Sequence, residues 1–280
     1  MTTIGLVGAG HMGSGLGWAL REGGHDVVTS LAGRSARTAQ LARQARLRIA
    51  DRPADVLAEA DVVLVVTPPG AAVEAATEIA ALAAGVGARP LVADLNATSP
   101  TTAGQVAQVL AAAGLDFVDG SISGPPPTVR PGARIFLSGP RAAEVAALRW
   151  THATPVPVGD RIGAASAVKM STASVYKGLM GLLTQALRAA SAHGVLEPVV
   201  ADLGDRFGSP YEVAMAATKA HRYVAEMREI AASQAAAGLT PLLFEAFAAV
   251  WADVAEQPLA AGRPETVARD ITVRQVTDGL

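Results

Sequence analysis

Cysteine is absent from the 280 residues, which excludes disulfide staples, thiolate nucleophiles and cysteine-ligated metals. Charge is sparse, at 17% of residues, and nearly balanced at a net −2. No basic field therefore draws the chain to nucleic acid or to an anionic membrane. Purely apolar runs are much shorter than a membrane span, and no basic segment precedes an apolar one near Met1. A secretory leader is not expected, and a cytoplasmic protein is. The five histidines, His11, His25, His152, His193 and His221, are scattered, and none forms a metal-spaced pair with another, so no metal is assigned. His221 and Glu226 lie five apart on one expected helix and read as part of an exposed ion network. No Gly-x-Ser-x-Gly elbow occurs. What the chain does have is apolar substance: half of it is hydrophobic, enough to bury one large core or two ordinary ones.

The most informative stretch is Ile4-Gly5-Leu6-Val7-Gly8-Ala9-Gly10-His11-Met12-Gly13. An apolar run feeds into Gly-x-Gly-x-x-Gly, and a helical pattern follows through Ala19-Leu20. Strand, tight turn and helix is the context that a dinucleotide fingerprint requires. Gly8 permits the turn, Gly10 lets backbone approach a pyrophosphate, and Gly13 lets helix lie close on strand. The helix N-terminus at His11 and Met12 then offers N–H groups and partial positive charge to phosphates.

Short β-branched runs alternate with alanine-rich helical stretches through the first half. Expected strands are Thr3–Val7, Asp26–Ser30, Asp61–Thr67, Pro90–Asp94, Asp116–Asp119 and Ala133–Ser138, with helices at Pro53–Glu59, Ala71–Ala84 and Pro100–Ala113. This alternation predicts an α/β, Rossmann-type domain with a mostly parallel sheet over residues 1–160. From Ile162 to about His193 one unbroken helix is expected, about 45 Å long at 1.5 Å per residue. Helices at Pro198–Phe207, Pro210–Ala237 and Pro241–Glu256 complete an all-α domain over residues 161–280. An all-helical half built around one overlong helix would bury its apolar faces better against a second copy, so a homodimer is the default.

An NAD site commonly sets a carboxylate at the end of the second strand to hold the ribose diol. Here the strand ends Val27-Val28-Thr29-Ser30-Leu31, with no acid, and the turn carries Arg34 and Ser35. An arginine fork and a hydroxyl suit a 2′-phosphate, so NADP(H) is favoured over NAD(H). The alternative is a solvated arginine and a serine that only caps the next helix.

Several motifs then fall in one order: Gly8–Gly13, Thr67-Pro68-Pro69, Asp94-Leu95-Asn96-Ala97-Thr98-Ser99-Pro100, Asp119-Gly120-Ser121-Ile122-Ser123-Gly124-Pro125-Pro126-Pro127, and Gly163–Met170. In these the chain resembles the β-hydroxyacid dehydrogenase and 6-phosphogluconate dehydrogenase superfamily, which includes 3-hydroxyisobutyrate dehydrogenases. It looks most like the branch with a short helical C-terminal domain of poorly defined function. The resemblance implies that Ser123 and the Gly124 backbone hold a substrate carboxylate or hydroxyl. Thr67, Pro68 and Asn96, at strand ends that face the crevice of such sheets, become neighbours of the ribose and nicotinamide. Lys169 matches the family's catalytic lysine, a general acid/base for interconverting a hydroxyl and a carbonyl.

Departures from the family are specific. Where relatives often carry asparagine one turn after the lysine, this chain has Ala173; Thr172 and Tyr176 lie on that face instead and are the candidate substitutes. A second family lysine falls at Arg228. The leading expectation is NADP-dependent hydride transfer on a small hydroxy acid or its carbonyl form. An imine reductase on the same scaffold, or a nucleotide-binding protein without catalysis, are the alternatives.

Overall fold

The computed structural model describes residues 1–204 and 208–280, and the chain forms two compact units, Met1–Lys169 and Met170–Leu280. In the first unit the described residues build an eight-stranded sheet from β1 (Thr3–Val7), β2 (Asp26–Ser30), β3 (Arg48–Ala50), β4 (Val62–Val65), β5 (Leu91–Asp94), β6 (Phe117–Ser123), β7 (Ala133–Ser138) and β8 (Ala153–Pro157), in the order β3-β2-β1-β4-β5-β6-β7-β8. Neighbours run parallel except β6 and β7. The order reverses between β1 and β4, which opens a crevice beyond the strands' carboxyl ends. The helices are α1 (His11–Glu22), α2 (Ala36–Gln44), α3 (Pro53–Glu59), α4 (Ala72–Val86), α5 (Pro100–Ala112) and the short α6 (Ala142–Ala146).

Strand alternation explains why the sheet is covered on both faces. Along β4, Val62 and Leu64 join one core cluster with Ile4, Leu6 and Leu16, while Val63 and Val65 join the other with Ile79 and Val106. All four β4 residues are buried, as a central parallel strand requires. β1, β2, β7 and α3 begin and end where the sequence pattern places them. The pattern missed β3 and β8. β3 is a three-residue edge strand with two exposed positions, and β8 contains Pro155 and Pro157, which an edge strand tolerates and a central one does not.

The long helix α7 (Ala164–Ala192) begins in the first unit. The second unit adds α8 (Leu196–Leu203), α9 (Pro210–Ala217), α10 (Ala220–Ala236), α11 (Leu242–Ala255) and α12 (Val273–Asp278). Residues 205–207 of the helix expected to end at Phe207 lie outside the described residues. One expectation fails here: Pro210–Ala237 is two helices, broken at Thr218 and Lys219. No proline or glycine marks the break. Thr218 Oγ1 donates to the Met215 carbonyl at 3.0 Å, the kind of back-bond that competes with helix continuation. α10 packs against α11 around Trp251, Met227, Ile230 and Tyr223, all buried. Among the described residues no helix is long and apolar enough to cross a membrane, and no group of three His, Asp or Glu side chains is arranged to hold a metal ion.

Candidate active site

The glycine turn is tight for a steric reason. Gly8 has φ +96°, and a Cβ there would meet the Val66 carbonyl oxygen at 2.2 Å; a Cβ on Gly13 would meet the Gly8 oxygen at 2.0 Å. Neither position admits a side chain. Gly10 differs, because nothing lies within 4 Å of where its Cβ would be. Gly10 is also the N-cap of α1, with no capping side chain and no acidic residue in the first turn. His11, Met12 and Gly13 thus open a helix whose start carries no side-chain cap, beside free space at Gly10. That arrangement fits the diphosphate of a dinucleotide.

Beyond Gly8 a slot is walled by Val56, Leu57, Ile79 and Leu82, with Arg34 and Glu78 among its polar lining. Arg34 therefore belongs to the same cavity as the glycine turn. Ser35 caps α2, its Oγ accepting from Thr38 N at 3.2 Å. The cap named as the alternative at Ser35 is present, and a phosphate role would have to share that hydroxyl.

At the ends of β4 and β5 a buried amide ties two loops together. Asn96 Oδ1 accepts from Thr67 N at 2.7 Å, and Nδ2 donates to Thr67 Oγ1 at 2.9 Å. Asn96 N donates to Asp94 Oδ1 at 2.8 Å. Asn96 thus sets the Thr67-Pro68 backbone, and Pro68 itself is exposed. Asp94, missed by the sequence reading, pairs in register with Asp119, so two buried carboxylates occupy neighbouring strands. Burial pushes the Asp94 carboxyl up to about 7; the Asn96 N–H opposes this and the Asp119 charge adds to it.

This has a consequence for stability. Between an unfolded value near 3.8 and a folded value near 7, the native state holds a proton that the unfolded chain releases. Stability therefore falls as pH rises through that window and levels above it. Asp94→Asn stays neutral and keeps an acceptor for Asn96 N. Its melting temperature should exceed that of the wild type by several degrees at pH 8 and by much less at pH 5. Equal differences at both pH values would contradict this.

β6 docks the start of α7 residue by residue. Asp119 Oδ2 accepts from Ser138 Oγ at 2.8 Å, Gly163 N at 3.0 Å and Ser166 N at 3.1 Å, while Oδ1 accepts from Ser166 Oγ at 2.6 Å. A buried carboxylate from a strand thus caps the helix N-terminus, where negative charge is favoured. Burial raises its pKa, and these donors counter the rise. Two residues along, Ser121 Oγ donates to the Ala165 carbonyl at 2.9 Å. Next, Lys169 Nζ donates to the Ile122 carbonyl at 2.7 Å. Lys169 is half-buried, and its bond lands one residue before Ser123. At Gly124, φ +124° turns the chain out of the strand. The structure therefore brings Lys169, Ser123 and Gly124 together.

Thr172 and Tyr176 follow on α7 within the second unit, and both are exposed. Partial burial raises the Tyr176 pKa, with the Glu212 charge adding, so its hydroxyl keeps its proton at neutral pH. The expected exposed ion network of His221 and Glu226 is not what forms. Glu226 is buried and pairs with buried Lys177, with Arg222 Nε reaching Oε1 at 2.9 Å. His221 and Arg228 are exposed.

The family model for the NAD binding domain of 6-phosphogluconate dehydrogenase matches residues 3–150. The chain belongs to this family. It carries the nicotinamide-dinucleotide-binding scaffold of the 6-phosphogluconate dehydrogenase family in its first unit, and a domain of unknown function, DUF1932, matches residues 190–254. Among solved structures, the conserved protein MTH1747, of unknown function and described as similar to 3-hydroxyacid dehydrogenases, is 28% identical, with a TM-score of 0.66 over 91% of this chain and 97% of that one. A Mycobacterium tuberculosis 3-hydroxyisobutyrate dehydrogenase with L-serine shares the fold at 21% identity and TM-score 0.65, over 99% and 98% of the two chains. An imine reductase variant from Myxococcus stipitatus in complex with NAD+ shares it at 19% identity and TM-score 0.53, over 99% of each.

Proposed function

We propose that this member of the 6-phosphogluconate dehydrogenase family is an NADP(H)-dependent oxidoreductase acting on a small hydroxy acid or its carbonyl form, with Lys169 as the proton carrier. The observation that carries the proposal is the bond from Lys169 Nζ to the Ile122 carbonyl, which holds a proton-bearing nitrogen beside the Ser123–Gly124 turn. A bound nicotinamide cofactor supplies or takes up the hydride. The chain's own residues do the rest. In reduction, the Lys169 ammonium gives its proton to the substrate oxygen; in oxidation, the neutral amine takes the hydroxyl proton. Ser123 Oγ and the Gly124 N–H orient the substrate carboxylate.

The uncapped start of α1 and the openness at Gly10 support binding of the cofactor diphosphate, with Thr67, Pro68 and Asn96 beside the ribose and nicotinamide. Arg34 in the slot beyond Gly8 supports NADP(H) over NAD(H). Arg34→Ala should lower the ratio of NADPH to NADH affinity at least about tenfold, since a charge-assisted bond contributes about 1.5–3 kcal/mol; an unchanged ratio in a fluorescence titration would remove the arginine from the preference. Exposed Val175 and Leu182 on α7 and exposed Leu239, Leu242 and Leu243 before and within α11 support a homodimer formed through the helical unit. The test of the activity is NADP+ reduction over a panel of hydroxy acids, sugar acids and amino alcohols, with Lys169→Ala as the control.

A further inference from the structure

The loop between β6 and β7 leaves the sheet at Gly124 through Pro125-Pro126-Pro127 and returns at Ala133. It closes on itself through the Pro126 carbonyl, which accepts from Val129 N at 2.9 Å and from Arg130 N at 3.3 Å. Its other side lies on α1. A Cβ on Gly15 would stand 3.1 Å from Pro127 Cδ, 3.2 Å from Pro126 Cβ and 3.3 Å from Pro127 N. Gly15 is buried inside α1, two residues past the last glycine of the phosphate-binding turn. The fingerprint does not call for glycine there, and helix interiors disfavour it. The close approach of the prolines accounts for it.

We propose that Gly15 is a positioning residue: by giving the proline loop room on α1, it fixes the Ser123–Gly124 substrate turn relative to the glycine turn that takes the cofactor diphosphate. This rests on the functional reading above. Three consecutive prolines have restricted φ and little slack, so a displacement at Pro126 or Pro127 passes back to Gly124 instead of being absorbed. One helix thus serves both ligands, through its tip and through the face one turn later.

The experiment compares wild type, Gly15→Ala and Gly15→Ala/Pro127→Ala, the last removing the atom nearest the added methyl. Amide hydrogen exchange at Thr128–Arg130 should quicken about tenfold in Gly15→Ala and return toward wild type in the double variant. NADPH affinity should stay within twofold throughout. With the hydroxy acid that turns over fastest, KM should rise about tenfold in Gly15→Ala while kcat stays within threefold. Unchanged loop exchange in Gly15→Ala overturns the proposal. So does a parallel loss of NADPH affinity, or faster exchange spread along α1, because either would make Gly15 part of the cofactor site or of the helix alone. If the wild type binds no NADPH, the cofactor reading fails while the loop comparison still decides the role of Gly15.

Discussion

Lys169→Ala should slow hydride transfer by about 10²–10⁴-fold, the range expected for a positioned general acid/base, with NADPH affinity within twofold of wild type. The two readouts separate because the lysine belongs to the β6–α7 contact and not to the Gly8–Gly13 turn. Lys169→Arg is the sharper variant. It keeps a positive charge that can reach the Ile122 carbonyl, but a guanidinium does not give up its proton near neutral pH. If proton transfer is the role, arginine should be nearly as slow as alanine. If the ammonium only attracts a substrate carboxylate, arginine should restore most of the rate. Single-turnover reduction followed at the NADPH absorbance distinguishes these cases. Full activity in Lys169→Ala would end the acid/base assignment. Turnover of a cyclic imine that survives Lys169→Ala would move the chain toward C=N reduction.

Legibility in the sequence followed the range of the interactions. The glycine turn is contiguous in sequence, so Gly8, Gly10 and Gly13 could be picked out as a motif, although the carbonyl that bars a side chain at Gly8 belongs to distant Val66. β1 runs into the Gly8 turn and β2 follows the Gly23-Gly24 turn, each as a short run with three consecutive buried residues, which made them readable. Lys169 was found through a motif, but what holds it was not. Asp119 meets Gly163 and Ser166 across 44 to 47 residues, and no periodicity connects such positions. Asp94 was quoted within a motif without a role, because its effect depends on burial beside Asp119, which only the strand register creates. The break at Thr218 was invisible for another reason: a hydroxyl back-bond leaves no proline or glycine behind. Glu226 was misread as exposed because its partner Lys177 lies on another helix, and sequence spacing compares only residues on the same one.

That buried pair sets the second large effect. Lys177 and Glu226 are 7% and 4% exposed. The Lys177 Nζ also stands 4.8 Å from the Tyr223 ring centroid, and Tyr223 meets Trp251 edge-on at 5.1 Å. Removing one charge leaves the other in a low-dielectric setting, which typically costs about 3–5 kcal/mol. Lys177→Met should destabilise the helical unit toward the lower end of that range, since Arg222 still reaches Glu226 at 2.9 Å. Lys177→Met/Glu226→Leu should recover most of the loss, because neither charge then has to be desolvated and the half-exposed Arg222 can return to water. Trp251 is the one tryptophan in the second unit, so its emission during urea unfolding, in a Trp18→Phe/Trp150→Phe background, reports the helical unit. A double variant as unstable as the single one would mean that packing around Tyr223 and Trp251, and not the uncompensated charge, makes Lys177 necessary.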